Sequence, residues 1–337
     1  MPGTTSSTPA SVLVLGARGR FGAAAAAAFD AAGWQVVAQV RHGTAPGLPA
    51  RARLLVAPLG ADGQPVAEAL AAHGLPAPQV VVHAVNPAYT RWDEEAMPAA
   101  RAAMALAGRL GARFMLPGNL YNYGAGMPPR IDADTPQRPT TPKGRLRVDL
   151  EAELADRAAA GRLRATVITA GDFFGAGRGS WLDLVIAKHR ARGRLDYPGD
   201  PAVLHTWAYL PDLARAFVAA AAVPQAAPFE RFLFAGHAVT GHEFLATLEQ
   251  AAADAGLAPA RGWRRGGGLP WGLMRALGPV VPLWREVVRM RYLWQVPHAV
   301  DGRRLAAAVG VPPATPLRAA LAAALRDLEK TTPPAAA

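Results

Sequence analysis

Short runs of branched apolar residues recur along the first half of the chain and alternate with longer stretches of helical spacing. The runs are Val12–Leu15, Trp34–Val40, Leu54–Ala57, Gln79–Ala84, Arg113–Leu116 and Arg164–Thr169. Apolar runs of this length with little polar alternation are typical of strands covered on both faces. Between them, Ala23–Ala32, Gln64–His73, Asp93–Leu110 and Thr140–Glu151 read as helices, the first almost wholly alanine, the strongest helix former. Strand and helix in alternation predict a parallel, doubly wound α/β sheet. Further on, Gly171–Gly177 reads as a loop and Trp181–Arg190 as a helix. His205-Thr206-Trp207 leads into a helix that starts at Pro211-Asp212 and runs to Ala222. Arg231–Ala235 is the last expected strand, and Thr240–Ala255 a capped helix. Trp271–Trp294 predicts two helices broken near Pro279 and Pro282, and Pro316–Leu328 a final one.

This pattern divides the chain. Residues 11–170 form a nucleotide-binding domain to which 203–235 returns. Residues 171–202 and 236–330 form a smaller, mostly helical substrate-binding region. Residues 1–10 and 331–337 are expected to be disordered.

The first strand runs into Gly16-Ala17-Arg18-Gly19-Arg20-Phe21-Gly22 and then into the alanine helix. Glycines let the backbone turn tightly and approach a pyrophosphate, while a helix N-terminus offers free N–H groups and partial positive charge. Strand, glycine turn and helix in this order predict a dinucleotide cradle built by Gly16, Arg18, Gly19, Arg20, Phe21 and Gly22, with Ala84 beside it at the end of the fourth strand. The second strand ends Val40-Arg41-His42, without the acidic residue that binds a ribose 2′-hydroxyl. Arg41, helped by Arg18, suits a 2′-phosphate, so the expected cofactor is NADP rather than NAD.

Composition narrows the chemistry. The chain has 337 residues, no cysteine, and 36 Lys+Arg against 25 Asp+Glu, a formal charge of +11. Disulfides, thiolate catalysis and cysteine-ligated metals are excluded, and no metal site is expected. The cations are scattered, which argues against nucleic acid as a partner. No apolar run reaches the length of a membrane span, and the N-terminus lacks the apolar core of a signal peptide. A cytoplasmic protein acting on a small molecule is the expectation.

Candidate chemistry gathers where strands end. Asn86, Tyr89 and Trp92 follow the fourth strand, and Asn119, Tyr121, Asn122 and Tyr123 the fifth. Asp172 and Phe173 follow the sixth, with His205 and Trp207 further on. Crevices at such ends bind ligands. Asn86, Tyr89, Trp92, Asp172, Phe173, His205 and Trp207 are therefore substrate candidates. On the Thr140–Glu151 helix, Lys143 and Arg147 lie one turn apart. Lys143 and Arg145 are cations in a first turn, which oppose the helix dipole and point either to an anionic ligand or to an exposed face laced by Arg147–Glu151 and Arg145–Asp149 pairs.

GARGRFG, LPGNLYNYG, AGDFFGAG, TWAYLPDLARA and DGRRLAAAVGVPPATPLRAAL occur in the order found in the extended short-chain dehydrogenase/reductase family, the epimerase and dehydratase type. The chain resembles that family from about Ser11 to Leu328. The resemblance implies a Rossmann fold, hydride chemistry on a carbonyl or hydroxyl, and a homodimer. It also implies a catalytic Tyr and Lys four residues apart with a Ser or Thr before them, and here this sequence departs. Lys143 stands at the Tyr position, Arg147 at the Lys position and Asn119 at the Ser/Thr position. Like-charge repulsion from Arg147 would lower the Lys143 pKa and make Lys143 the leading acid/base and a cofactor contact, with Asn119, Arg147, Tyr121 and Tyr123 as supporting catalytic candidates. The alternatives are a non-catalytic NADP(H)-binding redox sensor or assembly protein, and a nucleic-acid or membrane-surface binder.

Overall fold

A computed structural model describes residues 9–312 and 314–330. The disordered termini expected at 1–10 and 331–337 lie, apart from Pro9 and Ala10, outside the described residues. In chain order the first part contains β1 (Ser11–Leu15), α1 (Arg20–Ala31), β2 (Gln35–Val40), β3 (Arg53–Val56), α2 (Gln64–Ala72), β4 (Val80–His83), α3 (Trp92–Arg109), β5 (Arg113–Asn119), β6 (Arg130–Ile131), α4 (Pro142–Ala159) and β7 (Arg164–Ala170). The remainder contains β8 (Asp172–Phe174), β9 (Arg194–Leu195), β10 (Leu204–Tyr209), α5 (Leu210–Ala222), β11 (Phe229–Leu233), β12 (His237–Thr240), α6 (Gly241–Asp254), β13 (Arg264–Arg265), α7 (Trp271–Leu277), α8 (Pro282–Arg289), β14 (Ala299–Val300), α9 (Arg303–Val309) and α10 (Leu317–Lys330).

Seven strands make the main sheet, in the order β3-β2-β1-β4-β5-β7-β11 and all parallel. This is the doubly wound Rossmann arrangement that the strand–helix alternation predicts. Alternate residues of each strand point to opposite faces. Val12 and Val14 pack with Ala25, Phe29, Leu213 and Phe217 on the α1/α5 side. Leu13 and Leu15 pack with Met104, Phe114, Leu150 and Leu154 on the α3/α4 side. Strand order reverses between β1 and β4, which opens a crevice above their carboxyl ends.

The second part is mostly helical, as the pattern predicts, and adds a small sheet that the pattern does not show. A three-stranded sheet, β12-β10-β8, carries its own core of Phe174, Trp207, Phe244 and Trp294 under α6 and α10. The expected loop at 171–177 holds β8, because Trp207 to Tyr209 pair in register with Asp172 to Phe174. Residues 204–209 are a strand rather than a lead-in. The expected helix at 181–190 is a π turn at Leu182–Ile186 followed by a 3-10 turn at Arg190–Arg192. Asp183 fastens that turn by accepting from the Gly179 and Ser180 N–H groups at 2.9 and 2.7 Å. Among the described residues no helix is long and apolar enough to cross a membrane.

One buried cation ties the far edge of the sheet to its covering helix. Arg113 in β5 donates to Thr166 Oγ1 at 2.9 Å, to the carbonyl of Ala220 near the end of α5 at 2.6 Å, and to Glu230 at 3.1 Å. Its side chain is 9% exposed and that of Glu230 12%. Removing one member of such a pair strands the other charge. Arg113→Met is expected to lower the unfolding free energy by about 3 kcal/mol, seen as a lower urea midpoint with unchanged slope.

Candidate active site

The crevice is a cleft of about 1750 Å³ running from the glycine loop to the aromatic residues of the second part. Its floor begins at Gly16, whose φ of +77° suits glycine. A Cβ on Gly16 would lie 2.9 Å from the Val85 nitrogen, and one on Gly22 would lie 2.4 Å from the Gly16 carbonyl oxygen. Both obstacles are backbone, so neither position admits a side chain without moving the turn. Gly19 is the N-cap of α1, where no side chain caps the helix and no acidic residue stands in the first turn. The free N–H groups therefore face the cleft beside a cation, Arg20. Arg20 donates through one Nη to the Phe173 carbonyl at 3.3 Å, and its other Nη is buried without a partner among the described residues.

Gln39, a polar residue within the apolar β2, was not singled out by pattern. Its Oε1 accepts from Gly16 N–H at 3.0 Å and its Nε2 donates to the Ala57 carbonyl at 2.6 Å, locking the ends of β1, β2 and β3 together. Arg18, Arg41 and His42 lie exposed along the same end of the cleft, with Arg18 donating to the His42 carbonyl at 3.3 Å.

At the other side of the glycine turn the cleft is lined by Ala84, Asn86, Tyr89, Trp92, Asn119, Tyr121, Arg147, Asp172 and Phe173. Asn119 ends β5 and caps the following turn, its Oδ1 accepting from Tyr121 N–H at 3.2 Å. Its amide nitrogen has no hydrogen-bond partner among the described residues. Burial pushes the Tyr121 phenol up to about 12, with Asp172 adding to the rise and the Tyr89 hydroxyl and Arg147 opposing it. The two hydroxyls are 3.5 Å apart. Burial also raises the Tyr89 phenol well above its ordinary value. Both are therefore neutral hydroxyls near pH 7. The Arg147 guanidinium lies 5.1 Å from the Trp92 ring, and its Nε is buried without a partner among the described residues.

Several candidates sit elsewhere. Lys143 is corrected on both counts, as acid/base and as cofactor contact: it does not line the cleft. Its Nζ meets Glu286 of α8 at 2.9 Å and sits 4.6 Å from the Tyr89 ring, with the side chain 3% exposed. Its governing neighbour is a carboxylate, not Arg147. On this helix Arg145 and Asp149 are exposed, as the charge-laced reading has it, whereas Lys143 and Glu151 are buried in ion pairs. Glu151 accepts from Asn122 and Gln137, each at 2.8 Å, and meets Arg231 at 2.8 Å. Tyr123 is in the core with Leu120, Ile131 and Leu293, away from the cleft. Trp207 is fully buried against Phe244 and lines no part of it.

His205 is buried too, but it reaches the site through Asp172. Its Nε2 is 3.0 Å from Asp172 Oδ2 and its Nδ1 is 3.1 Å from the Leu293 carbonyl oxygen. Beyond Asp172 the cleft is walled by Trp181, Met274, Leu283, Trp284 and Trp294. Those from α7 and α8 could not be placed by pattern, since nothing in their spacing tells a cleft wall from a core face. Among the described residues no His, Asp or Glu cluster could hold a metal.

The model of the NAD dependent epimerase/dehydratase family matches residues 12–233. The chain belongs to this family. Solved members of the same fold include MoeE5 in complex with UDP-glucuronic acid and NAD, with a TM-score of 0.70 at 19% identity over 96% of this chain and 100% of that one. A UDP-glucose 4-epimerase from Thermotoga maritima, with UDP-glucose, gives 0.72 at 16% over 95% and 99%. WbmH from Bordetella bronchiseptica, in complex with NAD+, gives 0.71 at 17% over 96% and 99%. At such identities the likeness speaks for the fold. A sequence search of curated proteins finds no match.

The buried Lys143–Glu286 pair yields a stability prediction. Burial pushes the Glu286 carboxyl up, but Lys143, Arg289 and Arg285 outweigh it and hold the group below its ordinary value. Its stabilisation is complete above the ordinary carboxyl pKa of about 4.3 and is lost as pH falls through the lower folded value. At pH 7, Glu286→Gln is expected to cost about 3 kcal/mol by stranding Lys143. Lys143→Met/Glu286→Gln is expected to recover more than half of that, measured as a double-mutant cycle in urea.

Proposed function

We propose that the chain is an NADP(H)-dependent enzyme that oxidises or reduces a hydroxyl or carbonyl carbon of a small molecule, as an oxidoreductase or in an epimerase- or dehydratase-like cycle. One observation carries the reading: the cradle and the polar groups at the ends of β4, β5 and β7 open into a single cleft. The residues present suit a dinucleotide. The uncapped N–H groups of α1 and the partnerless Nη of Arg20 would take the pyrophosphate, and the turn held open by Gly16 and Gly22 gives it backbone access. Arg41 and Arg18 would take a 2′-phosphate, which favours NADP over NAD.

The nicotinamide, when bound, supplies the two-electron chemistry. The chain's own groups would orient the substrate. The Asn119 amide and the Tyr121 hydroxyl donate toward a carbonyl oxygen, and Arg147, already desolvated against Trp92, fixes an anionic or ribose oxygen. The cleft volume accommodates a dinucleotide together with a second ligand, and its outer wall of Trp181, Trp284 and Trp294 suits a substrate with an apolar or aromatic part.

A second reading, a binding protein without catalysis, is favoured by one observation, the burial of Lys143 where the family pattern has tyrosine. Titrating NADPH and NADH by fluorescence and then following NADPH oxidation with a panel of aldehydes and ketones separates the two. Turnover supports the enzyme, and binding without turnover the second reading. Arg41→Ala is expected to weaken NADPH binding about 10- to 100-fold, the value of one charge-assisted contact, and to leave NADH within about twofold. Tighter binding of NADH than of NADPH by the unaltered chain would overturn the NADP assignment.

A further inference from the structure

We infer that Asp172, backed by His205, is the group that exchanges a proton with the substrate, doing from the β7 side of the cleft what no group on α4 is placed to do. This rests on the reading of the cleft as a redox site.

Asp172 lies two residues beyond Ala170, which pairs in register with Asn119. It is thereby brought to the same strand ends as the Asn119 amide and the Tyr121 hydroxyl, and all three line the cleft. Its Oδ2 is taken by His205 Nε2, which leaves Oδ1 for a ligand. The proton count follows from the second contact of the ring. The Leu293 carbonyl can only accept, so His205 Nδ1 carries a hydrogen. At Nε2 a bare nitrogen would then face a carboxylate oxygen, lone pair against lone pair. The arrangement is satisfied when one further proton is shared between Nε2 and Oδ2. The ring stacks on Trp294 at 4.3 Å and 8°, with Trp207 at 4.8 Å, and an indole face suits an imidazolium.

The surroundings leave that proton to the pair. The titratable and charged groups facing it are Arg20 from α1, the phenols of Tyr89, Tyr121, Tyr197 and Tyr292, and His298. All four phenols are raised, first by burial. Burial, then His205, pulls His298 down to about 4, so that ring stays neutral. Arg20 is a further cation beside the pair.

In the reducing direction the carbonyl π bond of the substrate breaks. The carbon gains hydrogen with an electron pair from the reduced nicotinamide, the reductant. The oxygen gains the one shared proton, which moves from His205 Nε2 onto the Asp172 carboxyl and leaves from that carboxyl as it turns to the substrate. The pair is left as carboxylate and neutral imidazole and regains a proton from water. Oxidation runs the same transfers backwards. Asp172 is the catalytic residue here, and His205 a positioning residue.

The experiment is nitrogen NMR of 15N-histidine-labelled full-length chain without cofactor, joined to kinetics. At pH 7 both ring nitrogens of His205 are expected to be protonated. In Asp172→Asn, which keeps the shape, Nε2 is expected to lose its proton while Nδ1 keeps it. With NADPH and 4-nitrobenzaldehyde, Asp172→Asn is expected to lower kcat at least 100-fold while NADPH affinity stays within twofold. His205→Gln is expected to move the acidic limb of the pH–rate profile. An unprotonated Nε2 in the unaltered chain, or equal kcat in Asp172→Asn, overturns the inference. So does NADPH binding by the unaltered chain without reduction of the aldehyde. Failure of the unaltered chain to bind NADPH overturns instead the reading on which it rests.

Discussion

The architecture depends on a backbone approach that leaves no room for side chains. The turn after β1 is pressed between the end of β4 and the first turn of α1, with the Gly16 carbonyl against Gly22 and the Ala84 carbonyl against Gly16. Because these obstacles are peptide groups, they cannot yield as a side chain would. The approach aims the N–H groups of α1 at the crevice, brings Ala84 to the same spot, and places α1 against α5 through the Phe21–Phe217 edge contact. Gln39 extends the constraint by joining that turn to β2 and β3. The cradle is thus a consequence of how the sheet is wound.

Two buried ionic clusters fix the opposite side of the cleft. Glu151 holds the turn after β5 to α4 and β11, so that Asn119 and Tyr121 are carried on a braced segment. Lys143 and Glu286 pin α8 to the start of α4 and bring Trp284 and Val287 over the cleft. Buried charges contribute little net stability when paired, and their loss is expensive, so such clusters act more on geometry than on total stability. The joint between the two parts of the chain is therefore made of charge as well as apolar surface.

Legibility from sequence followed the range of the interactions involved. The main sheet, its helices, the glycine turn and the cations beyond β2 are local in sequence, and each was readable from a short window. The second sheet was not, because β8 exists only through pairing with β10, some thirty residues on. Lys143 shows the same limit at one residue. Arg147, one helical turn on, suggested repulsion, whereas the ion-pair partner of Lys143 is Glu286, far along the chain. Trp207 lies two residues from His205 on the same side of β10, ring against ring at 4.8 Å, but is buried in the core of the second sheet, and Tyr123 is buried among Leu120, Ile131 and Leu293.

Proton transfer need not come from α4, because position rather than residue type is what the chemistry requires. A phenol held near pH 10 or above needs a neighbouring cation to work as a base at neutral pH, and the phenols here are pushed further from that range by burial. A guanidinium does not titrate usefully, which leaves Arg147 as an orienting group. Of the titratable side chains on the cleft wall, Asp172 combines an open oxygen with a buried partner able to hold a proton. The β8–β10 pairing that hid β8 from pattern also delivers His205 to Asp172, while the β5–β7 pairing delivers Asp172 to Asn119.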